Sequence, residues 1–213
     1  MNRERKSNDE HFSDVGLYVI ITRPVLPYEE VAEICVRRGV RMLPLREKHL
    51  SDRQLLDAAR RIRVVTKGSP TLFAVNDRPD IAALSDADAL HLGQDDIPVE
   101  EARSIVGEGM LIGLSTHSVA QAREAMAKNP DYIGFGPIYP TPAKAVPDPA
   151  VGTALLKEVL GFATVPVVAI GGIFPENLPE VLGTGARNVA LVRHLMETAE
   201  TEKRVAALQE AIG

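Results

Sequence analysis

Two cations and two carboxylates stand where short apolar runs give out, and their types suit a single ligand. Along RMLPLREK (residues 41–48) a period of two places Met42, Pro44, Arg46 and Lys48 on one face and Leu43, Leu45 and Glu47 on the other. Facing one interior, Arg46 and Lys48 make a cationic fork. The planar guanidinium grips a phosphate through two N–H groups, and the ammonium adds a point charge. The competing reading is a solvated ion-pair rim with Glu47, an arrangement of little energetic consequence. The run TLFAVND ends in Asn76-Asp77, and HLGQDD ends in Asp95-Asp96. Carboxylates at neighbouring run ends can share one hard cation, and Mg2+ takes one or two carboxylates while water and phosphate oxygens complete its shell. Asp77 and Asp96 are the expected ligand pair, with Asn76 contacting the same diphosphate. Taken singly, these residues also read as Asx-turns or helix N-caps, Asp95 and Asp96 above all because Ile97-Pro98 follows. Beside the fork the balance shifts, since a metal–diphosphate complex between an acidic pair and two cations gives every charge an opposite partner.

Further polar groups follow the same rule of position. GLSTHS (113–118) brings Ser115 to a run end, where its hydroxyl can bond a phosphate as a helix begins, although helix capping explains it equally well. His117 has no Ser/Asp relay at a recognisable spacing and reads as structural or peripheral. GPIYPTPAK (136–144) is a long Pro-rich segment in which Lys144 is positioned to neutralise a leaving group and Thr141 to donate a hydrogen bond. Such a segment reads as a substrate lid, or else as a rigid surface loop.

Eight β-branched runs carry these groups: 16–22, 41–47, 71–77, 89–93, 110–115, 131–136, 166–172 and 188–193. Segments of helical period separate them, most opening on Ser, Asp, Asn, Pro or acidic residues as helix starts prefer. Strand and helix in strict alternation predict a parallel sheet. Eight such units within 213 residues favour a single (β/α)8 TIM barrel of the α/β class over an open flavodoxin-like sheet, which would leave two long edges. No GxGxxG follows the first run, so a dinucleotide fold lacks its main signature. In a barrel the active site forms at the C-terminal strand ends, where all the groups above fall. The last two runs end at Gly171-Gly172 and Val192-Arg193. That pair of loops is the habitual phosphate site of these barrels, because glycines bare their N–H groups; Gly-Gly is also compatible with a plain turn.

Composition narrows the classes. A formal net charge of −5 repels nucleic acid and anionic membranes and leaves any anion site to local construction. Aromatic residues make up 4% with no Trp, too few for a surface that stacks bases or sugars. Cys35 is the one cysteine, which excludes an intrachain disulfide and a thiolate metal site and fits a cytoplasmic setting; its apolar neighbours mark it as core filler. Residues 1–14 are polar and of mixed charge, with no apolar stretch of the kind a secretory signal needs, and read as a tail ahead of a catalytic domain at 15–213. No apolar run is long enough for a bilayer. The expected partners are therefore small phosphorylated molecules, in a chain compatible with a homo-oligomer.

The ordered set LREK, VNDR, HLGQDD, GLSTHS, GPIYPT…K and AIGGI resembles the thiamine phosphate synthases and spans runs two through eight, with HLGQDD and GPIYPT the most specific parts. The resemblance implies that a hydroxymethylpyrimidine diphosphate and a thiazole phosphate are joined to give thiamine phosphate, with release of pyrophosphate. It further implies pyrophosphate binding by Arg46, Lys48 and Lys144, Mg2+ ligation by Asp77 and Asp96, and contact of Asn76 and Ser115 with the diphosphate substrate. Thr141 and Gly171-Gly172 match positions that hold the thiazole phosphate, and Val192 and Arg193 are expected to bind substrate beside them. Three residues depart from the family pattern: Pro44 replaces a Gln, Ala143 a Thr, and Arg193 a Ser near the last strand's end. The alternatives are a thiazole tautomerase on the same barrel, which needs no Mg2+, and a non-catalytic binder of phosphorylated metabolites.

Overall fold

The computed structural model describes residues 15–141 and 148–213. The polar tail, Ala143 and Lys144 lie outside the described residues. Eight strands close into a parallel barrel in chain order: β1 Leu17–Val19, β2 Met42–Leu45, β3 Leu72–Asn76, β4 Ala89–Leu92, β5 Leu111–Thr116, β6 Tyr132–Phe135, β7 Val167–Ile170 and β8 Asn188–Leu191, with β8 paired to β1. The described helices are α1 Tyr28–Arg37, α2 Asp52–Thr66, α3 Pro79–Leu84, α4 Val99–Val106, α5 Val119–Ala127, α6 Gly152–Phe162, α7 Leu178–Leu182, α8 Arg193–Met196 and α9 Thr201–Ile212. The architecture is the (β/α)8 barrel, and closure leaves no strand edge to protect.

Period two along each strand divides the apolar residues between two layers. Leu43, Leu45, Phe73, Val75, Leu90 and Ile112 face outward and pack with Val31, Ala58, Ile62 and Ala102 of the helices. Tyr18, Met42, Ala74, Ala89, Tyr132, Val168 and Ala190 face inward and form a separate cluster that fills the barrel. Two large rings among small residues need room, and Gly113 supplies it. A Cβ there would lie 2.1 Å from Cζ of Tyr132, the residue paired with it across β5 and β6.

At the barrel floor, polar residues at or just before the starts of β4, β6 and β8 tie the sheet together. Asp88 Oδ2 accepts the Phe73 N–H at 3.0 Å and an Arg63 N–H at 2.7 Å. Asp131 Oδ2 repeats this with Ile112 N–H at 2.7 Å and Arg103 at 2.9 Å, and Asn188 Oδ1 accepts the Val15 N–H at 2.7 Å. These bonds satisfy buried strand donors at the end of the barrel opposite the mouth, where contacts serve stability and not chemistry.

Strand ends fall short of the expected bounds. The first run, expected over 16–22, is ladder only at Leu17–Val19 with an isolated bridge at Ile21 to Leu45. The last, expected to reach 193, stops at Leu191, and Arg193 opens α8. Pro44 explains part of the first difference. Its carbonyl accepts the Ile21 N–H at 2.8 Å, but it has no N–H to give back to β1. The recorded β1–β2 pairs, Tyr18–Met42 and Ile21–Leu45, lie on either side of it. A closed barrel thus accommodates a proline in its weakest seam, where β1 is shortest.

Candidate active site

The alternation on β2 carries past the strand. Met42 and Pro44 are buried, Arg46 is half-buried above them on the inward face, and Lys48 reaches the open rim. Glu47 takes the opposite side and is not part of a solvated rim. It is 6% exposed, accepts the Arg23 N–H at 2.5 Å and the Tyr28 hydroxyl at 2.8 Å, and lies 3.2 Å from His49 Nδ1. The ion-pair rim read as the alternative for this segment therefore does not form, because Glu47 is used as a buried anchor for the β1–α1 loop.

Lys48 pairs instead with an acidic residue of the next strand: its Nζ lies 3.0 Å from Asp77 Oδ2. Asp77 adopts φ 65°, a left-handed conformation that Asp tolerates better than most residues, and gives its N–H to the His91 carbonyl at 2.9 Å. The turn swings its carboxylate toward β4. There Asp96 folds back so that its Oδ2 accepts the Gly93 N–H at 2.6 Å. Asp96 is not the cap of α4, whose N-cap is Pro98 with no side-chain bond. Burial and the neighbouring Asp77 carboxylate raise the Asp96 pKa above the ordinary carboxylate value, against the opposing pull of the Gly93 N–H and Lys48. The Asp77 carboxylate is near enough to Asp96 to act on its charge. Lys48 supplies one positive charge beside the pair, and a further cation between the two acids would add to it. Beside them the amide oxygen of Asn76 is buried without a hydrogen-bond partner among the described residues, an unsatisfied acceptor that a ligand or cation would relieve.

Ser115 ends the inward face of β5, and its Oγ lies 2.9 Å from Nε2 of His91. The sequence alone does not single out His91. Its place inside HLGQDD was legible, but nothing in the chain announced that β4 would turn the ring inward onto Ser115 and, through Nδ1, onto Tyr132 Oη at 3.1 Å. Desolvation lowers the His91 pKa to about 4, so the imidazole is neutral near pH 7. His117 lies elsewhere, its Nδ1 2.6 Å from the Gly136 carbonyl and its Nε2 3.8 Å from Asp148.

On the far side of the mouth, β7 and the segment after β6 interlock. Ile138 and Tyr139 give their N–H groups to the carbonyls of Ile170 and Gly171 at 2.9 and 3.0 Å. A Cβ on Gly171 would come within 2.5 Å of Pro137, and one on Gly172 within 2.6 Å of the Tyr139 carbonyl oxygen; both also have positive φ. The Gly-Gly pair is thus required first by close backbone approach. Tyr139 Oη donates to Glu180 at 2.9 Å, which straps the segment to α7 just before Thr141. Val192 caps α8, and the Arg193 guanidinium lies 5.2 Å from the centroid of Phe174 in the β7–α7 loop.

Residues 17–195 match the thiamine monophosphate synthase family. The chain belongs to that family. It is 43% identical to the thiamine-phosphate synthase of Pelotomaculum thermopropionicum over 184 residues, 86% of this chain and 84% of that one. It is 39% identical to the thiamine-phosphate synthase of Lawsonia intracellularis over 203 residues, 93% of each chain. Among solved structures it is similar to the thiamine phosphate pyrophosphorylase of Pyrococcus furiosus, with a TM-score of 0.82, 33% identity and coverage of 94% and 98% of the two chains. The family's members are transferases, and this chain is an enzyme of that class. No described helix is long and apolar enough to cross a membrane.

Proposed function

We propose that the chain joins a hydroxymethylpyrimidine diphosphate to a thiazole phosphate at the mouth formed by β2 to β8, releasing pyrophosphate. The observation that carries this reading is the Asp77–Asp96 carboxyl pair lying against Lys48 and the unpartnered Asn76 amide oxygen. Two carboxylates, one neutral oxygen and adjacent cations fit Mg2+ shared with a diphosphate, since that ion keeps water and phosphate in its shell. The described residues contain no cluster of three or more metal-ligating side chains, which suits an ion completed by substrate better than a closed protein cage.

In the reaction, the bond between the pyrimidine methylene carbon and the diphosphate oxygen breaks, with its electron pair leaving on pyrophosphate. A lone pair of the thiazole then forms the new bond to that carbon. Arg46 and Lys48 meet the charge that grows on the leaving group, and Ser115 donates a hydrogen bond to it; Lys144 is expected to share this task. Mg2+, when bound, supplies further charge stabilisation at the same oxygens. Asn76 orients the diphosphate. The N–H groups of Gly171-Gly172, with Thr141 and Val192-Arg193, hold the thiazole phosphate, Arg193 replacing a hydroxyl contact with a full charge. No general base is needed for a carbon that ionises before attack. The tautomerase alternative leaves the carboxyl pair without a task.

With both substrates present, Mg2+-dependent pyrophosphate release is expected, and Asp96→Ala abolishes it. No turnover by the wild-type protein with excess Mg2+ and both substrates would sink the synthase reading.

A further inference from the structure

Four polar side chains run in single file up the inside of the barrel. Tyr18 Oη lies 2.8 Å from Tyr132 Oη, Tyr132 continues to His91 Nδ1, and His91 Nε2 continues to Ser115 Oγ at the mouth. Tyr18 and Tyr132 are buried at 3% and 0% exposure. The rings are tilted to one another along this path, with centroids 6.1 Å apart for Tyr18–Tyr132 and 5.4 Å for His91–Tyr132.

A neutral imidazole donates from one nitrogen and accepts at the other, and each hydroxyl has one proton, so the file has two consistent proton orders. In the inward order Ser115 donates to Nε2, Nδ1–H donates to Tyr132, and Tyr132 donates to Tyr18. The Tyr18 proton is then left over, since Tyr132 is the hydrogen-bond partner the structure gives it among the described residues. In the outward order Tyr18 donates to Tyr132, Tyr132 donates to Nδ1, and Nε2–H donates to Ser115 Oγ. Every buried proton is then used, and the one left over belongs to Ser115 at the mouth. A buried donor without an acceptor is disfavoured enough to decide between the two orders.

We propose that Tyr132, oriented by Tyr18, holds His91 in the Nε2–H tautomer and so commits the Ser115 hydroxyl to donate to a diphosphate oxygen. Tyr18, Tyr132 and His91 are positioning residues, and Ser115 alone of the four touches substrate. The device explains two otherwise unrelated choices: a phenol buried at the barrel axis, and Gly113 beside its ring. It rests on the reading of Ser115 as a diphosphate contact.

The test pairs ring 15N spectra, with the His91 signals identified from their loss in His91→Asn, with calorimetric titration of inorganic pyrophosphate in the presence of Mg2+. The wild-type protein is expected to show a protonated Nε2 and a bare Nδ1. Tyr132→Phe removes the donor to Nδ1, mixes the tautomers and weakens pyrophosphate about tenfold, the worth of one hydrogen bond to a charged group. Tyr18→Phe keeps the Nε2–H tautomer and loses less affinity, because Tyr132 still has a proton to give. A protonated Nδ1 in the wild type, or a Tyr132→Phe protein with unchanged tautomer and affinity, would overturn the proposal. Failure of the wild type to bind pyrophosphate would instead overturn the diphosphate reading, and the ring tautomer still decides the proton order by itself.

Discussion

At the scale of single residues, neighbours decide roles that residue type leaves open. Arg46, Glu47 and Lys48 are consecutive charged groups, yet the pleat sends Glu47 into a buried set of bonds and aims the other two at the mouth. Lys48 in turn holds Asp77. Exposed as it is, this pair adds little to folding, so Lys48→Met is expected to leave the melting temperature nearly unchanged. It should raise KM for the diphosphate substrate about tenfold, the loss of one charged hydrogen bond. Steady-state kinetics with each substrate varied in turn would check this, and a matching rise in KM for the thiazole phosphate would contradict the assignment of Lys48 to the diphosphate end.

At the scale of elements, two contacts set how strands meet. Gly113 lets β5 pass under the Tyr132 ring. Gly113→Ala must displace that ring, so it is expected to cost at least the 1–3 kcal/mol typical of overpacking and to break the link from Tyr132 to His91. Urea unfolding together with pyrophosphate titration would register both effects, and an Ala variant of native stability would show that the ring has room to shift. At the floor, Asp131 joins Arg103 to the Ile112 N–H with 5% exposure. Asp131→Ala leaves a guanidinium and a strand N–H without their shared acceptor and is expected to destabilise by about 3–5 kcal/mol. Because this contact lies at the opposite end of the strands from the mouth, KM for both substrates should hold at temperatures where the variant is folded.

At the scale of the whole molecule, the inward ring of His91 links stability to pH. Burial lowers its pKa to about 4 in the folded chain, below the roughly 6.5 of an unfolded chain. The unfolded state therefore takes the proton first as pH falls. The contribution is intact above about pH 6.5 and is lost progressively toward about 4, by up to about 3 kcal/mol, less the part screened where the ring meets water at the mouth. Chemical denaturation from pH 7 to 4 should show this slope, and His91→Asn should flatten it. An unchanged slope in the variant would mean that other groups govern the acid limb.

The alternation of apolar runs and helical segments determined the barrel, because period two and period 3.6 are local properties that a chain displays before it folds. The run ends likewise marked Arg46, Lys48, Asn76, Asp77, Asp96 and Ser115, since in a parallel barrel position along a strand translates directly into distance from the mouth. Other features depended on which strands become neighbours. Asp96 reads locally as a cap for α4 and instead folds back onto Gly93 toward Asp77. Gly171-Gly172 reads as a phosphate turn, and the close passage of Pro137 and Tyr139 gives a second demand for glycine there that the sequence alone does not show. Pro44 lacks the N–H a ladder needs, and the short seam with β1 absorbs that loss. Above all, Tyr18, His91, Ser115 and Tyr132 lie on four different strands and form one file only because closure points them at a common axis. Inward or outward is a choice of face that each strand's own sequence leaves ambiguous, and only packing of the outer face against helices settles it.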